Sequence, residues 1–349
     1  MSTSVTPTPR PARLRWGWLA ASLGVLGAAV LLGSTLGPAG LSPVQVVREM
    51  IGSALFIDHA SSLDETQRAI LWEIRVPRVV LGGLVGGMLA LAGASYQGVF
   101  RNPLADPYLL GVAAGAGLGA TLVIAYVPRA GSNLIPIAAF VGAVSAVAIA
   151  YLVGRSVGGR STMTLILAGI AVAAFFTAAQ TYVQQRNGDT IRQVYSWILG
   201  RLSTSGWSEV LTLLPYVLIC SVVLLLHRRL LDVMSVGDHE TDSLGISSSR
   251  VRGVVVIFAT LGTAAAVAVS GLIAFVGIVV PHAIRLVVGS SYRSLIPLSM
   301  VVGAAFLILA DLAARTVASP AELPIGVITA FLGAPFFAVV LRTSRQYVG

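Results

Sequence analysis

Few side chains in this sequence could carry chemistry, and their types exclude several kinds of it. The 23 basic residues are all arginine; the 349 residues include no lysine. Without lysine there is no complete phosphate-binding loop of the G-x-x-x-x-G-K-[ST] kind, so a nucleotide that drives this protein has to bind to another chain. A lysine Schiff base is excluded on the same ground. The four histidines, His59, His227, His239 and His282, form no cluster in the sequence. With a single cysteine, Cys220, they indicate no metal site and no internal disulfide. Cys220 lies in an apolar run and reads as a packed, inert thiol. Neither H-E-x-x-H nor G-x-S-x-G occurs, and no paired acids lie deep in an apolar run. No catalytic residue is expected. What is left is arginine at the ends of apolar runs, polar residues inside them, and two longer polar segments.

Apolar helices would have to position these residues. The sequence is 56% hydrophobic and 11% charged, against about 25% charged in soluble domains. The expectation is a disordered cytoplasmic tail at 1–15 followed by one transmembrane domain at 16–349. The net charge of +9 does not point to nucleic acid, because the arginines are spread between apolar runs and form no patch. Ten spans are expected. The first is at 16–36, and two lie within 75–120, joined by a charged turn at Arg101–Pro107. The rest are at about 134–154, 163–184, 209–227, 253–270, 272–289, 295–314 and 325–341. Arg10, Arg13 and Arg15 place the N-terminus inside, and the excess of arginine on that side places the C-terminus there too. Small residues recur every four along the second span, at Gly82, Gly86, Ala90 and Ala94, and along the third at Gly111, Gly115 and Gly119. Such stripes let helices approach closely in lipid. Pro103 and Pro107 each suit the first turn of a helix.

Between the first two spans, Ser42-Pro43-Val44-Gln45 predicts a helix start, followed by a solvated stretch from Asp58 to Arg68. Outside, between spans five and six, Tyr195, Trp197 and Trp207 read as interfacial anchors. Inside, the segment at about 229–252 mixes acids and bases with apolar residues, and Gly237 and Gly245 divide it into two short helices. That content fits a docking surface for a partner. Asp311 and Arg315 share a helix face at the outer end of span nine and are expected to pair. His282, after Pro281 in a broken span, is expected to make a structural hydrogen bond. Gln97 and Gln180 are candidates either for helix–helix hydrogen bonds or for lining a path.

The run R-x-P-R at Arg75–Arg78, then L-A-G-x-x-x-Q-G at Leu91–Gly98, then R-N-P-L-A-D-P-Y-L-L-G at Arg101–Gly111, resembles the membrane subunits of ATP-driven importers for iron chelates, haem and cobalamin. Leu167-Ala168-Gly169, Ser270-Gly271, Phe275-Val276-Gly277, Val280-Pro281-His282 and Glu322–Gly326 continue the resemblance. It implies an all-α type II importer permease fold of about ten transmembrane helices. It also implies two ATP-binding subunits inside, carrying Mg-ATP that this chain does not bind. A substrate-binding protein outside and a second permease copy or paralogue are implied as well. By the same resemblance, Arg75, Arg78 and Arg315 dock the binding protein; Asp238, Leu244, Gly245 and Ile246 couple to the ATPase; and Ser161, Thr162 and Met163 form an inner gate.

The first expectation is thus a multi-pass permease of a bacterial cytoplasmic membrane, surrounded by lipid, that carries a ferric siderophore. Haem and cobalamin are alternatives within the family. An ion-coupled secondary transporter is the alternative of another class, and the lack of a carboxylate near the centre of any span counts against it.

Overall fold

The computed structural model describes residues 14–37, 40–54, 63–127, 134–156, 162–202 and 206–344, and among them there is no strand. Helix α1 (Trp16–Thr35) leads to the amphipathic α2 (Pro43–Ala54), opened by Pro43 as the sequence predicts. Helix α3 (Glu65–Ala69) passes through a π-helical turn (Ile70–Arg75) into α4 (Val76–Phe100). There follow α5 (Val112–Tyr126), α6 (Leu134–Ser156), α7 (Thr162–Arg186), a 3-10 turn (Gly188–Thr190) and α8 (Ile191–Ile198). The chain continues with α9 (Ser208–Met234), α10 (Asp238–Ser243), α11 (Ser248–Ser270), α12 (Val276–Val288), α13 (Tyr292–Thr316) and α14 (Ile325–Ser344).

Seven described helices are long and apolar enough to cross a membrane, while α5, α12 and α14 contribute shorter apolar stretches. These ten occupy the places of the ten expected runs. The 15 residues of α5 and 13 of α12 cover only about 22 and 20 Å, short of a bilayer core of about 30 Å. Neither helix by itself spans such a core; irregular backbone precedes both.

Helix α4 is the centre. Of its most apolar window 83% is buried, against 22% for α1 and for α7, so those two face outward. The small-residue stripe explains the difference. A Cβ on Gly86 would run into the Gly303 carbonyl of α13, and one on Gly93 into the Gly277 carbonyl of α12. Gly115 and Gly119 of α5 make the same close approach to Gly142 and Ala138 of α6. Dispersion between touching backbones holds these pairs where lipid removes the hydrophobic drive. Cys220 is buried among the α9 contacts, as its apolar setting implied.

Two local readings change and one is refined. The stretch ending at Arg68 is solvated as expected from Asp64 on, but it is also helical. Asp64 caps α3 by accepting from the Gln67 amide at 2.7 Å, and Gln67 returns the bond at 3.2 Å, so the helix starts ten residues before the R-x-P-R run. Residues 101–111 are not a surface turn with prolines opening a helix. Pro103 and Pro107 sit in turns, and Pro107 packs on Gly277, which in turn lies against Gly93. Gly93 is two helical turns before Phe100, about 10 Å along the axis. The segment has folded back alongside α4, and α5 starts only from there. Finally, Trp197 is no interfacial anchor. It is buried in the main core, while Tyr195 stays exposed and Trp207 donates from Nε1 to the Trp72 carbonyl at 3.1 Å.

Candidate functional site

Two charged clusters and a buried line between them hold the residues singled out in the sequence. At the cluster beside the end of α1, Arg75 and Arg315 are each 4% exposed. Arg75 donates from Nη1 to the carbonyls of Ser34 and Thr35 at 3.2 and 2.8 Å. Arg315 donates from Nη2 to the Gly33 carbonyl at 3.0 Å and pairs with Asp311 at 3.0 Å, the pair expected from their spacing. The carbonyls at the end of α1, which have no partner within their own helix, are thus met by two guanidiniums. Arg78 binds Asp311 through Nε and Nη2 at 2.9–3.1 Å and Glu322 through both Nη atoms at 3.0 Å. Its side chain is 12% exposed and that of Glu322 is 47% exposed. In this chain, then, all three arginines have internal partners. Only the Arg78–Glu322 pair reaches the surface.

The second cluster, at the other end of α4, contains the segment expected to couple to an ATPase. Helix α9 continues through Met234, so the segment holds one short helix, α10, and not two. The strong helix formers Arg228–Leu231 simply prolong α9, and Gly237 at φ 136° makes the only sharp entry into α10. Asp238 is the anchor: its carboxylate pairs with Arg252 at 2.8 Å and Arg101 at 3.2 Å. Asp242 accepts from the Ser248 amide at 2.8 Å, which lowers its pKa from the ordinary value. Ile246 packs on the core, whereas Leu244 is 67% exposed beside Gly245. Gly245 has φ 80°, a conformation that favours glycine, and open space around its Cα. His239 is exposed nearby. The segment is a short helix fixed at its base with an apolar tip presented outward.

Gln97 is fully buried. Its Oε1 accepts from Arg285 at 2.9 Å and its Nε2 donates to the Gly277 carbonyl at 3.4 Å, tying α4 to α12. Tyr96 shares a hydrogen bond with Thr260 of α11 at 2.7 Å. Gln180 is buried with its amide against Gly117 of α5. His282 stacks edge-on against Phe336, but its Nδ1 finds no hydrogen-bond partner among the described residues, so the structural hydrogen bond expected there is absent. Of the gate residues, Met163 is 66% exposed on α7. Thr162 opens that helix, its side chain lies outside the description, and Ser161 lies outside the described residues.

Sequence reasoning missed the clamp between the two broken passages. Tyr108, in the folded-back segment, donates from its hydroxyl to the Ile273 carbonyl at 3.0 Å and accepts from the Ile273 amide at 3.2 Å. Asp106 orients that tyrosine by accepting from its amide at 2.6 Å. The Arg201 amide donates to the Ser270 carbonyl at 2.8 Å, and the Gly326 amide to the Leu199 carbonyl at 3.0 Å. Phe275 is held at φ 70° with its ring against Gly333. Non-helical backbone inside a membrane protein needs such internal partners. The signal available was the pairing of D-P-Y with the glycine-broken run at Gly271–Gly277.

An all-helical chain with two short helices preceded by irregular backbone, arginine-rich ends and, among the described residues, no catalytic constellation has the build of a transport subunit. The chain belongs to the FecCD transport family, whose model matches residues 24–343. It is a membrane permease subunit of the ABC importer class that handles metal chelates, and not an enzyme. Its fold is similar to that of a metal-chelate type ABC transporter in an inward-facing conformation. That match has a TM-score of 0.83 and 29% identity, covering 94% of this chain and 100% of the other. Among sequence relatives, the cobalamin import system permease protein BtuC of Halobacterium salinarum is 42% identical over 83% of this chain and 79% of its own. The Fe(3+)-citrate import system permease protein YfmE of Bacillus subtilis is 34% identical over 88% of this chain and 89% of its own.

Proposed function

We propose that this permease carries a ferric chelate, a ferric siderophore first, inward across the cytoplasmic membrane. The observation that carries the proposal is the agreement of almost the whole chain, in family and in fold, with metal-chelate importers. A ferric citrate permease among its relatives supports iron; the higher identity of a cobalamin permease supports cobalamin as the second reading. In this proposal both termini are cytoplasmic. Two permease copies or paralogues surround a path, two ATP-binding subunits carrying Mg-ATP dock at the exposed Leu244–Gly245 tip, and a binding protein docks at the other end. ATP binding and hydrolysis in the partners shift the permease pair between inward-open and outward-open states. Thr162 and Met163 narrow the path at the inner end of α7, with Ser161 just before them. The charged surface point for the binding protein is Arg78, which would exchange Glu322 for a partner carboxylate; Arg75 and Arg315 support it by holding α1. The deciding experiment is to purify the assembled importer, identify what its binding protein retains, and measure uptake of that compound. Retention and ATP-dependent uptake of ferric siderophore are expected. Retention of cobalamin alone would replace the first reading with the second, and uptake driven by an ion gradient without ATP would sink both.

A further inference from the structure

The Phe100 end of the molecule contains a cavity of ≈ 460 Å³ between the ends of α4, α9, α12 and α13. Three guanidiniums, of Arg101, Arg285 and Arg293, line it against one lining carboxylate, Asp232. Arg101 pairs with Asp238 at its rim and Arg293 with Asp232 at 3.2 Å. Arg285 differs. Its Nη2 donates to Gln97, its guanidinium lies 5.8 Å from the Tyr292 ring centroid, and its Nε is buried with no hydrogen-bond partner among the described residues. Among the described residues it forms no ion pair with any carboxylate. Asp232 cannot turn toward it, because it already accepts from the Tyr292 amide at 2.6 Å and the Ser291 hydroxyl at 2.9 Å. A partly buried cation with only neutral partners is costly, and an anion entering the cavity would relieve that cost. The planar guanidinium fork suits a phosphate above all. Directly beyond Arg285 on α12, Leu286 and Val287 are 71% and 55% exposed. Neither lines the cavity, but both leave exposed apolar surface on the helix that carries its central cation; basic clefts between membrane helices with such surface at hand hold anionic head groups.

We propose that this cavity binds the phosphate of an anionic phospholipid, with Arg285 as its main ligand, Arg293 and Arg101 beside it, and the acyl chains along Leu286 and Val287. This goes beyond the transport reading and does not depend on which chelate is carried.

The test is native mass spectrometry of the full chain in detergent, titrated with phosphatidylglycerol, phosphatidylcholine or inorganic phosphate, with melting temperature measured in parallel. Wild type should retain phosphatidylglycerol in preference to phosphatidylcholine. Arg285→Gln should weaken retention about ten-fold, the effect of losing a hydrogen bond to a charged group. Asp232→Asn, which removes the lining carboxylate while leaving an acceptor for Tyr292, should tighten it. Arg250→Gln, an exposed arginine outside the cavity, should leave it unchanged. Equal retention in wild type and in a folded Arg285→Gln variant overturns the proposal. If Arg285→Gln does not fold, Asp232→Asn decides, and retention no tighter than wild type overturns it. Inorganic phosphate that displaces the lipid at equal concentration assigns the cavity to a free anion instead. A carboxylate of the ATPase subunit crosslinking into a lipid-free cavity assigns it to a protein contact.

Discussion

The two ends of the molecule use arginine in opposite ways. At the end where α4 begins, Arg75, Arg78 and Arg315 are directed into the protein, onto Asp311, Glu322 and the terminal carbonyls of α1. At the end where α4 finishes, Arg101 and Arg252 hold Asp238, and with it the short helix whose apolar tip stays exposed. The first cluster fastens a peripheral helix to the core; the second supports a projecting segment. The same side chain does both because a guanidinium offers five donors in one plane. Carbonyl oxygens at a helix end can accept from it, as carboxylates do. Arginine at the mouth of a span is therefore no evidence, by itself, of a surface presented to a partner.

The contrast can be broken at its common support. Gly93→Leu puts a branched side chain where the Gly277 backbone lies and should abolish folding of both ends, read as loss of monodisperse protein on size exclusion. A protein that still folds would show that α12 can shift away from α4. Next, Asp311→Asn removes the carboxylate shared by Arg78 and the buried Arg315. Its expected cost is about 3 kcal/mol of stability, read as a lowered melting temperature. Asp238→Asn, at a half-exposed site, should lower the melting temperature little. It should uncouple ATP hydrolysis from transport in the assembled importer, because the base of α10 loses both cations. Unchanged coupling would separate α10 from the ATPase contact.

Smaller effects sharpen the comparison. Arg78→Ala should weaken binding-protein affinity several-fold at low salt and less at high salt, as exposed pairs are individually weak. Arg75→Ala should instead loosen α1, read as faster amide exchange over Ser34–Leu36. The reverse pattern would return docking to Arg75. The smallest effect concerns pH. The folded Asp242 carboxyl is held below its ordinary value by the Ser248 amide. Its contribution is therefore complete above the ordinary carboxylate range and is lost only as pH falls through the lowered folded value. The protection factor of the Ser248 amide, its exchange rate relative to an unstructured amide at the same pH, should be unchanged between about pH 7 and pH 5 and lower in Asp242→Ala at both.

The sequence by itself determined the helical class, the places of the apolar runs, the small-residue faces and the Asp311–Arg315 pair. Each of these follows from composition, from hydropathy over one helix length, or from a spacing of three or four residues. The motifs also carried the family. Only the tertiary structure decided that residues 101–111 fold back beside α4 and that Tyr108 clamps Ile273. It alone placed Arg75 against the end of α1 and left Arg285 without a carboxylate. Each of those depends on which backbone groups far apart in the chain lack partners within their own helix. The helix pattern leaves such groups open, and side chains from elsewhere satisfy them only once the helices have packed.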